Sequence, residues 1–360
     1  MKAAVCYEFG KPLVIEDIDI RPPGKGEVRL RLATTAVCHS DIHAFRGELP
    51  MGLPAVGGHE SAGYIEEVGE GVTRVKPGDP VVASTLISCG KCLFCVTGRP
   101  HLCEAVWARD KESPYTNKKG QSLLQMFKIG TFAEYTILDE SQVVKLPDDM
   151  PLDSASLLAC GVITGFGAVV NRAKVEVMSS CVIIGVGGVG LNAVQGAAIS
   201  GANPVIAVDI NDAKLEAART FGATHTVNSS KVDAIEAVKE LTGGRGADYV
   251  FVTVGSAKAM EQGFGMSGPR GTTVMVGLPH FKDTLSFQAF PFILGERTLT
   301  GSFMGTTHLE KDIPKMVNLY QQGILKLDEL ITDRYPLDKI NEAIEAVIKG
   351  EALRNVIMFQ

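Results

Sequence analysis

Apolar positions along the chain change their rhythm near residue 150. Before that point, short segments such as EVRLRLATTAV, SAGYIEEVG and DPVVAST carry β-branched residues, separated by turn signals such as PPGKGE and KPGD. That texture predicts a β-rich domain. After PDDMP, the stretch LDSASLLACGVITGFGAVVNRA reads as a helix, and strands and helices then alternate. CVIIGV, PVIAVDI, ADYVFVTVG and TTVMVGL are the predicted strands. GLNAVQGAAISG, DAKLEAARTFG, KVDAIEAVKELTG and SAKAMEQGFGMSG are the predicted helices. Short apolar runs spaced by helices predict a parallel sheet covered on both faces. From Thr298 the pattern changes again, to two helices (EKDIPKMVNLYQQGIL and LDKINEAIEAVIKG) and a final strand, LRNVIMF.

A length of 360 residues fits two domains. With 45% hydrophobic and 21% charged residues, the chain has the profile of a soluble globular protein. The formal charge of −6 is mild and the basic residues are dispersed, which argues against nucleic acid or an anionic membrane as partner. The N-terminal MKAAVCYEFGKPL lacks a signal-peptide core, and eighteen apolar residues never run together. The expectation is a cytoplasmic protein. In a reducing cytosol, clustered cysteines bind metal or act in catalysis more readily than they form disulfides.

The first strand of the alternating region runs into GVGGVG, comprising Gly185, Val186, Gly187, Gly188, Val189 and Gly190. Here G-x-G-x-x-G lies between a strand and a helix, the setting that gives the motif meaning. Gly185 permits the tight turn, Gly187 lets a pyrophosphate approach the backbone, and Gly190 lets helix and strand pack closely. The free N–H groups and positive end of the following helix suit phosphates. Asp209 ends the next strand, near the spacing expected of an acid that binds an adenosine ribose diol. Its charge would repel a 2′-phosphate and no arginine follows it closely, so NAD is preferred over NADP.

Two further groups of residues offer metal ligands. CGKCLFCVTGRPHLC carries Cys89, Cys92, Cys95 and Cys103 on one short loop. Four thiolates match a closed structural zinc site. An iron–sulfur cluster uses similar runs, but the proline that follows the fourth cysteine in bacterial ferredoxin runs is missing here. TAVCHSDIHAF gathers Cys38, His39, Ser40, Asp41 and His43, GGHE supplies His59 and Glu60, and Cys160 follows at the entry to the alternating region. A Cys–His–Cys set leaves a fourth zinc position open for chemistry.

These features together resemble the zinc-dependent medium-chain alcohol dehydrogenases over essentially the full length. VCHSDIHAFRGELP, GGHESAGYIEEVGEGVTRVKPGD, the four-cysteine lobe and CVIIGVGGVG occur in that family's order and spacing. The resemblance implies an α/β protein. A GroES-like β-rich catalytic domain would span residues 1–161 and 304–360, with the structural zinc lobe near 89–103. A Rossmann NAD-binding domain with a doubly wound parallel sheet would span 162–303. It also implies that Cys38, His59 and Cys160 bind a catalytic zinc, that Glu60 approaches the metal during ligand exchange, and that Asp41 orients the zinc-bound histidine. Ser40 and His43 match a relay that carries the alcohol proton to solvent. His39 stands where many relatives place an arginine on the cofactor pyrophosphate, which implies looser NAD binding. Arg354 resembles the other pyrophosphate arginine and Lys214 the lysine beside the adenosine ribose. Thr164 and Val189 sit where the family contacts the nicotinamide.

The expected activity is reversible hydride transfer between a primary or secondary alcohol and NAD, with two zinc ions per subunit in a homodimer or homotetramer. The family positions of Leu49, Thr85, Met126, Phe127, Leu278 and Phe303 imply a mostly apolar substrate pocket, suited to hydrophobic alcohols or aromatic aldehydes. Leu49 and Met51 lie where enzymes acting on a glutathione adduct carry acids. The alternatives are a polyol or threonine dehydrogenase on the same fold, and a non-enzymatic NAD-binding sensor whose zinc thiolates respond to oxidants.

Overall fold

A computed structural model describes residues 1–104 and 113–359 and divides into two compact units. One comprises Met1–Cys160 with His308–Gln360, and the other Gly161–Thr307.

The first unit is built on two β systems. Strands Lys2–Cys6, Val14–Ile20, Tyr115–Asn117, Ser122–Gln125 and Ala55–Val56 close into a barrel. A seven-stranded sheet runs in the order Val143–Lys145, Pro80–Ala83, Glu60–Val68, Glu27–Ala36, Arg354–Met358 and Ile331–Pro336, with Tyr135–Asp139 also pairing Glu27–Ala36. The C-terminal strand enters this sheet antiparallel to Glu27–Ala36, with Val356 opposite Ala36. Helix Ile340–Lys349 turns Ile340, Ala343 and Val347 into the core that holds Phe45 and Phe132. Their spacing of three and four residues makes one apolar stripe. Both ends of the chain therefore build one hydrophobic core.

The second unit is a six-stranded parallel sheet in the order His225–Asn228, Val205–Asp209, Cys181–Ile184, Ala247–Val252, Ser267–Met275 and Thr298–Gly301. In chain order this reads 3-2-1-4-5-6, the doubly wound dinucleotide-binding arrangement. The central strand Cys181–Ile184 is buried throughout, as expected where helices cover both faces. The order reverses beside this strand, so its carboxyl end, where the glycine-rich turn begins, is the topological switch point.

Three features depart from the sequence reading. The stretch from residue 152 to 173 is not one helix. It runs as Leu152–Ser156, a 3₁₀ turn at Leu157–Ala159, an interruption at Cys160 (φ −144°, ψ −68°), and then helix from Gly161. Periodicity alone could not reveal a break within an uninterrupted apolar run. Strands His225–Asn228 and Ile331–Pro336 were not expected. Each is a short polar segment at a sheet edge, where the apolar signal is weak. Thr298, where the sequence pattern changes, begins the sixth strand of the parallel sheet.

Candidate metal centres and dinucleotide site

Strand pairing and the interruption at Cys160 assemble the first centre. Ala36 pairs with Glu60, so Cys38, just beyond one strand, meets His59, just before the other. Cys38 also caps helix His39–Phe45. The ligand atoms of Cys38, His59, Glu60 and Cys160 lie within 4.8 Å of one another, and all four residues are buried. Two thiols, an imidazole and a carboxylate form the donor set that zinc prefers.

Asp41 organises this cluster from behind. Its Oδ1 lies 2.9 Å from His59 Nδ1 and accepts from the Gly58 amide, while Oδ2 accepts from the Cys38 amide. With Nδ1 engaged, Nε2 is the ring nitrogen left to ligate a metal. Burial and mutual proximity shift all four groups of the cluster. The hydrogen bond from Cys160 holds the Cys38 thiol well below its ordinary pKa, against burial, with the His59 charge assisting. Cys160 is pushed well up by that same hydrogen bond and by burial. Burial disfavours charge on His59, but Asp41 and Cys38 outweigh it and raise its pKa well above the ordinary value. Glu60 is pushed up to about 7 by burial, partly offset by Arg354.

Arg354 is almost fully buried and ion-paired with Glu60. The structure therefore turns it toward the metal-ligand cluster, a partnership the sequence did not disclose. Ser40 Oγ is 3.8 Å from Cys38 Sγ. His43 is half-exposed, and its Nδ1 contacts Glu48. Glu48 is not among the residues that the sequence motifs single out.

The second centre lies on the loop of the same unit. Cys89, Cys92, Cys95 and Cys103 converge within 4.8 Å. The Cys89 amide donates to Cys103 Sγ at 3.2 Å and the Cys92 amide to Cys89 Sγ at 3.3 Å. Backbone amides lower the Cys92 thiol to about 6, while burial and its thiol neighbours push Cys95 up to about 12. Leu93, Val96 and Leu102 point outward, and between residues 89 and 103 only His101 and Cys103 are buried. This lobe has almost no apolar core, so a four-thiolate metal fits as its organising element.

In the other unit, each glycine of the turn has a distinct steric setting. Gly185 has φ +85°, and a Cβ there would sit 2.2 Å from Val254 Cγ1. A Cβ on Gly190 would fall 1.9 Å from the Gly185 carbonyl oxygen, whereas one on Gly187 would meet nothing within 4 Å. Gly187 caps helix Gly188–Ile199 without a side-chain hydrogen bond, so the first amides, those of Gly188 and Val189 among them, face an open cradle. Asp209 Oδ2 accepts from the Val186 amide at 2.9 Å, and Oδ1 from the amides of Ile210 and Asn211. The acid thus ties the glycine turn to the end of the second strand. Lys214 follows on helix Asp212–Thr220. Thr164 is nearly buried, with Oγ1 3.8 Å from Met304 Sδ. His39 belongs to the other unit, at the start of helix His39–Phe45.

Residues 24–148 match the alcohol dehydrogenase GroES-like domain and residues 188–322 the zinc-binding dehydrogenase domain. The chain is 40% identical over 365 residues to the NDMA-dependent alcohol dehydrogenase of Amycolatopsis methanolica, covering 99% of this chain and 98% of that protein. The chain belongs to the zinc-dependent medium-chain alcohol dehydrogenase family. Among solved structures, benzyl alcohol dehydrogenase from Acinetobacter calcoaceticus superposes with a TM-score of 0.94 at 36% identity, covering 100% of this chain and 99% of that one. An alcohol dehydrogenase zinc-binding domain protein from Burkholderia ambifaria gives a TM-score of 0.96, also at 36% identity, covering 100% and 98%. Membership establishes an oxidoreductase of the alcohol dehydrogenase type with zinc as its metal.

As a member of this family, the chain distributes its six pocket candidates unevenly. In the first unit Phe127 takes φ +50° and sets its ring edge-on to His59, centroids 5.2 Å apart. That backbone angle is strained for a bulky residue. Met126, its neighbour, is buried in the core beside Phe45 and Phe132, so it packs the scaffold. Leu49 and Thr85 are half-buried. Leu278 and Phe303 belong to the second unit, where both are exposed. Among the described residues no single helix is long and apolar enough to cross a membrane.

Proposed function

We propose that this chain oxidises a hydrophobic or aromatic alcohol to its carbonyl, reversibly, with NAD as hydride acceptor. The observation that carries this reading is the buried convergence of Cys38, His59 and Cys160, with Asp41 holding His59 Nδ1. Zinc held there supplies a Lewis acid that lowers the pKa of an alcohol hydroxyl. Cys38, His59 and Cys160 would hold it, and Glu60, poised beside them against Arg354, would approach during ligand exchange. Ser40 Oγ receives the hydroxyl proton and His43 passes it to solvent. NAD bound to the second unit would supply the acceptor for the hydrogen and both bonding electrons that leave the alcohol carbon as the carbonyl forms. Gly187 leaves room for the pyrophosphate at the helix N-terminus, and Asp209 reads the ribose. A second zinc would sit among Cys89, Cys92, Cys95 and Cys103.

An apolar or aromatic substrate is supported by Phe127 beside His59 and by the likeness to a benzyl alcohol dehydrogenase. A different terminal acceptor is favoured by the relative named NDMA-dependent. The deciding experiment measures NAD reduction, and separately NDMA reduction, by zinc-loaded protein across aliphatic, aromatic and polyol alcohols. Turnover of aromatic alcohols with added NAD supports the proposal. Turnover with NDMA alone would move electron disposal to that acceptor, and activity confined to polyols would overturn the substrate class.

A further inference from the structure

Helix His39–Phe45 ends in a way that places one side chain on another. Gly47 has φ +75°, a left-handed conformation that a residue with a Cβ adopts at a cost. The Gly47 amide donates to the Ala44 carbonyl at 3.0 Å, and the Glu48 amide to the His43 carbonyl at 2.9 Å. These two bonds form the glycine-terminated helix stop in which the second residue past the cap folds back over the last turn. In most such stops the fold-back brings two apolar side chains together. Here it brings a carboxylate to an imidazole, and Glu48 Oε2 contacts His43 Nδ1.

We propose that Glu48 is a positioning residue for His43, fixing its ring orientation and its Nδ1–H tautomer so that Nε2 is the atom that exchanges protons. The inference rests on the relay role given to His43 above. Its physical basis is general: a carboxylate on one imidazole nitrogen decides which nitrogen carries the proton and leaves the other for chemistry. Backbone geometry makes the contact specific. The glycine stop fixes the Cα of Glu48 over the turn that carries His43, so the carboxylate is delivered without a long search of rotamers. During turnover the arriving proton adds to Nε2 and leaves again from Nε2 to solvent, while Nδ1–H stays bonded to Glu48. No proton is gained or lost by the pair over one cycle.

The test follows the ring nitrogens of zinc-loaded, full-length protein carrying ¹⁵N-histidine, with the His43 signals assigned by their loss in H43Q. Wild type is expected to show neutral His43 protonated at Nδ1. In E48A the proton should move largely to Nε2, and kcat should fall about tenfold, with the alcohol KM little changed. E48Q keeps an acceptor oxygen without the charge and should restore most of the Nδ1–H tautomer. The double variant E48A/H43Q should be no slower than H43Q alone, since a residue acting only through His43 has nothing left to act on. A wild-type ring protonated at Nε2, or an E48A tautomer identical to wild type, would overturn the inference. Full activity in H43Q would remove the relay itself, and with it any catalytic consequence of Glu48. The nitrogen spectra would still decide whether Glu48 sets the tautomer.

Discussion

Asp41 Oδ1 stands 2.9 Å from His59 Nδ1, and both side chains are buried. The same carboxylate also accepts from the amides of Gly58 and Cys38, so one residue fixes both the orientation of the His59 ring and the backbone at Cys38. D41N preserves shape but substitutes an amide that can accept with only one of its two terminal atoms. We expect about 10- to 100-fold weaker zinc binding at this centre, as is typical when the group behind a metal-bound histidine is changed. Competition with a chelator measures it. Unchanged affinity in a folded D41N protein would remove Asp41 from the metal site.

The cysteine lobe should separate stability from chemistry. C92S removes one of four converging thiols from a segment whose leucines and valine face solvent. With little apolar core to fall back on, a lobe proposed to hold zinc would depend on that metal for its fold. The expected outcome is one fewer zinc per chain and a lower melting temperature, with kcat of the freshly prepared enzyme largely kept. A stable but inactive C92S protein would contradict a structural role.

Acid sensitivity should trace in part to Asp79. Its Oδ1 accepts from Lys145 Nζ at 2.6 Å and its Oδ2 from the Lys76 amide at 2.9 Å, closing the KPGD turn onto strand Val143–Lys145. Burial pushes this carboxyl up, but Lys145 and the Lys76 amide outweigh it and hold its pKa below the ordinary value. A depressed carboxyl stabilises the fold above the unfolded-state pKa of about 3.9. That contribution is lost as pH falls through the lower folded-state value. D79N should therefore melt below wild type at neutral pH, and the gap should close in strong acid. A gap that stays constant from neutral to acid pH would show that the charge of Asp79 contributes nothing.

Much of the architecture was legible because it is written in local spacing. The glycine turn, the runs on either side of it and the four close cysteines each lie within one short segment. What escaped the sequence depends on distant pairings or on backbone breaks inside uniform composition. The interruption at Cys160 sits in an apolar run that reads as unbroken helix. Arg354 meets Glu60 only because the last strand pairs with Glu27–Ala36, itself the neighbour of Glu60–Val68. Strand His225–Asn228 has too few apolar residues to announce itself and is placed by its partner Val205–Asp209. Glu48 is the exception. Its contact with His43 is local, and the signal was present as a glycine directly before an acid at the end of a helix, five residues after the histidine.

Gly187 and Gly190 give the sharpest test of the dinucleotide site, because the same substitution should fail for different reasons. Gly187 has φ −81°, which alanine adopts freely, and its added methyl would meet no protein atom within 4 Å. G187A should fold with a melting temperature close to wild type. The methyl would project into the cradle at the helix N-terminus, where a pyrophosphate needs close approach to the backbone. NAD affinity, measured by calorimetry, should fall at least tenfold. G190A places its methyl 1.9 Å from the Gly185 carbonyl oxygen, a contact that can be relieved only by moving helix Gly188–Ile199 away from strand Cys181–Ile184. It should lower the melting temperature markedly even without cofactor, as overpacking of a tight contact costs about 1–3 kcal/mol or more. Should G187A bind NAD as wild type does, the pyrophosphate does not lie at this turn. Should both variants be equally unstable, the open space at Gly187 is not available for a ligand.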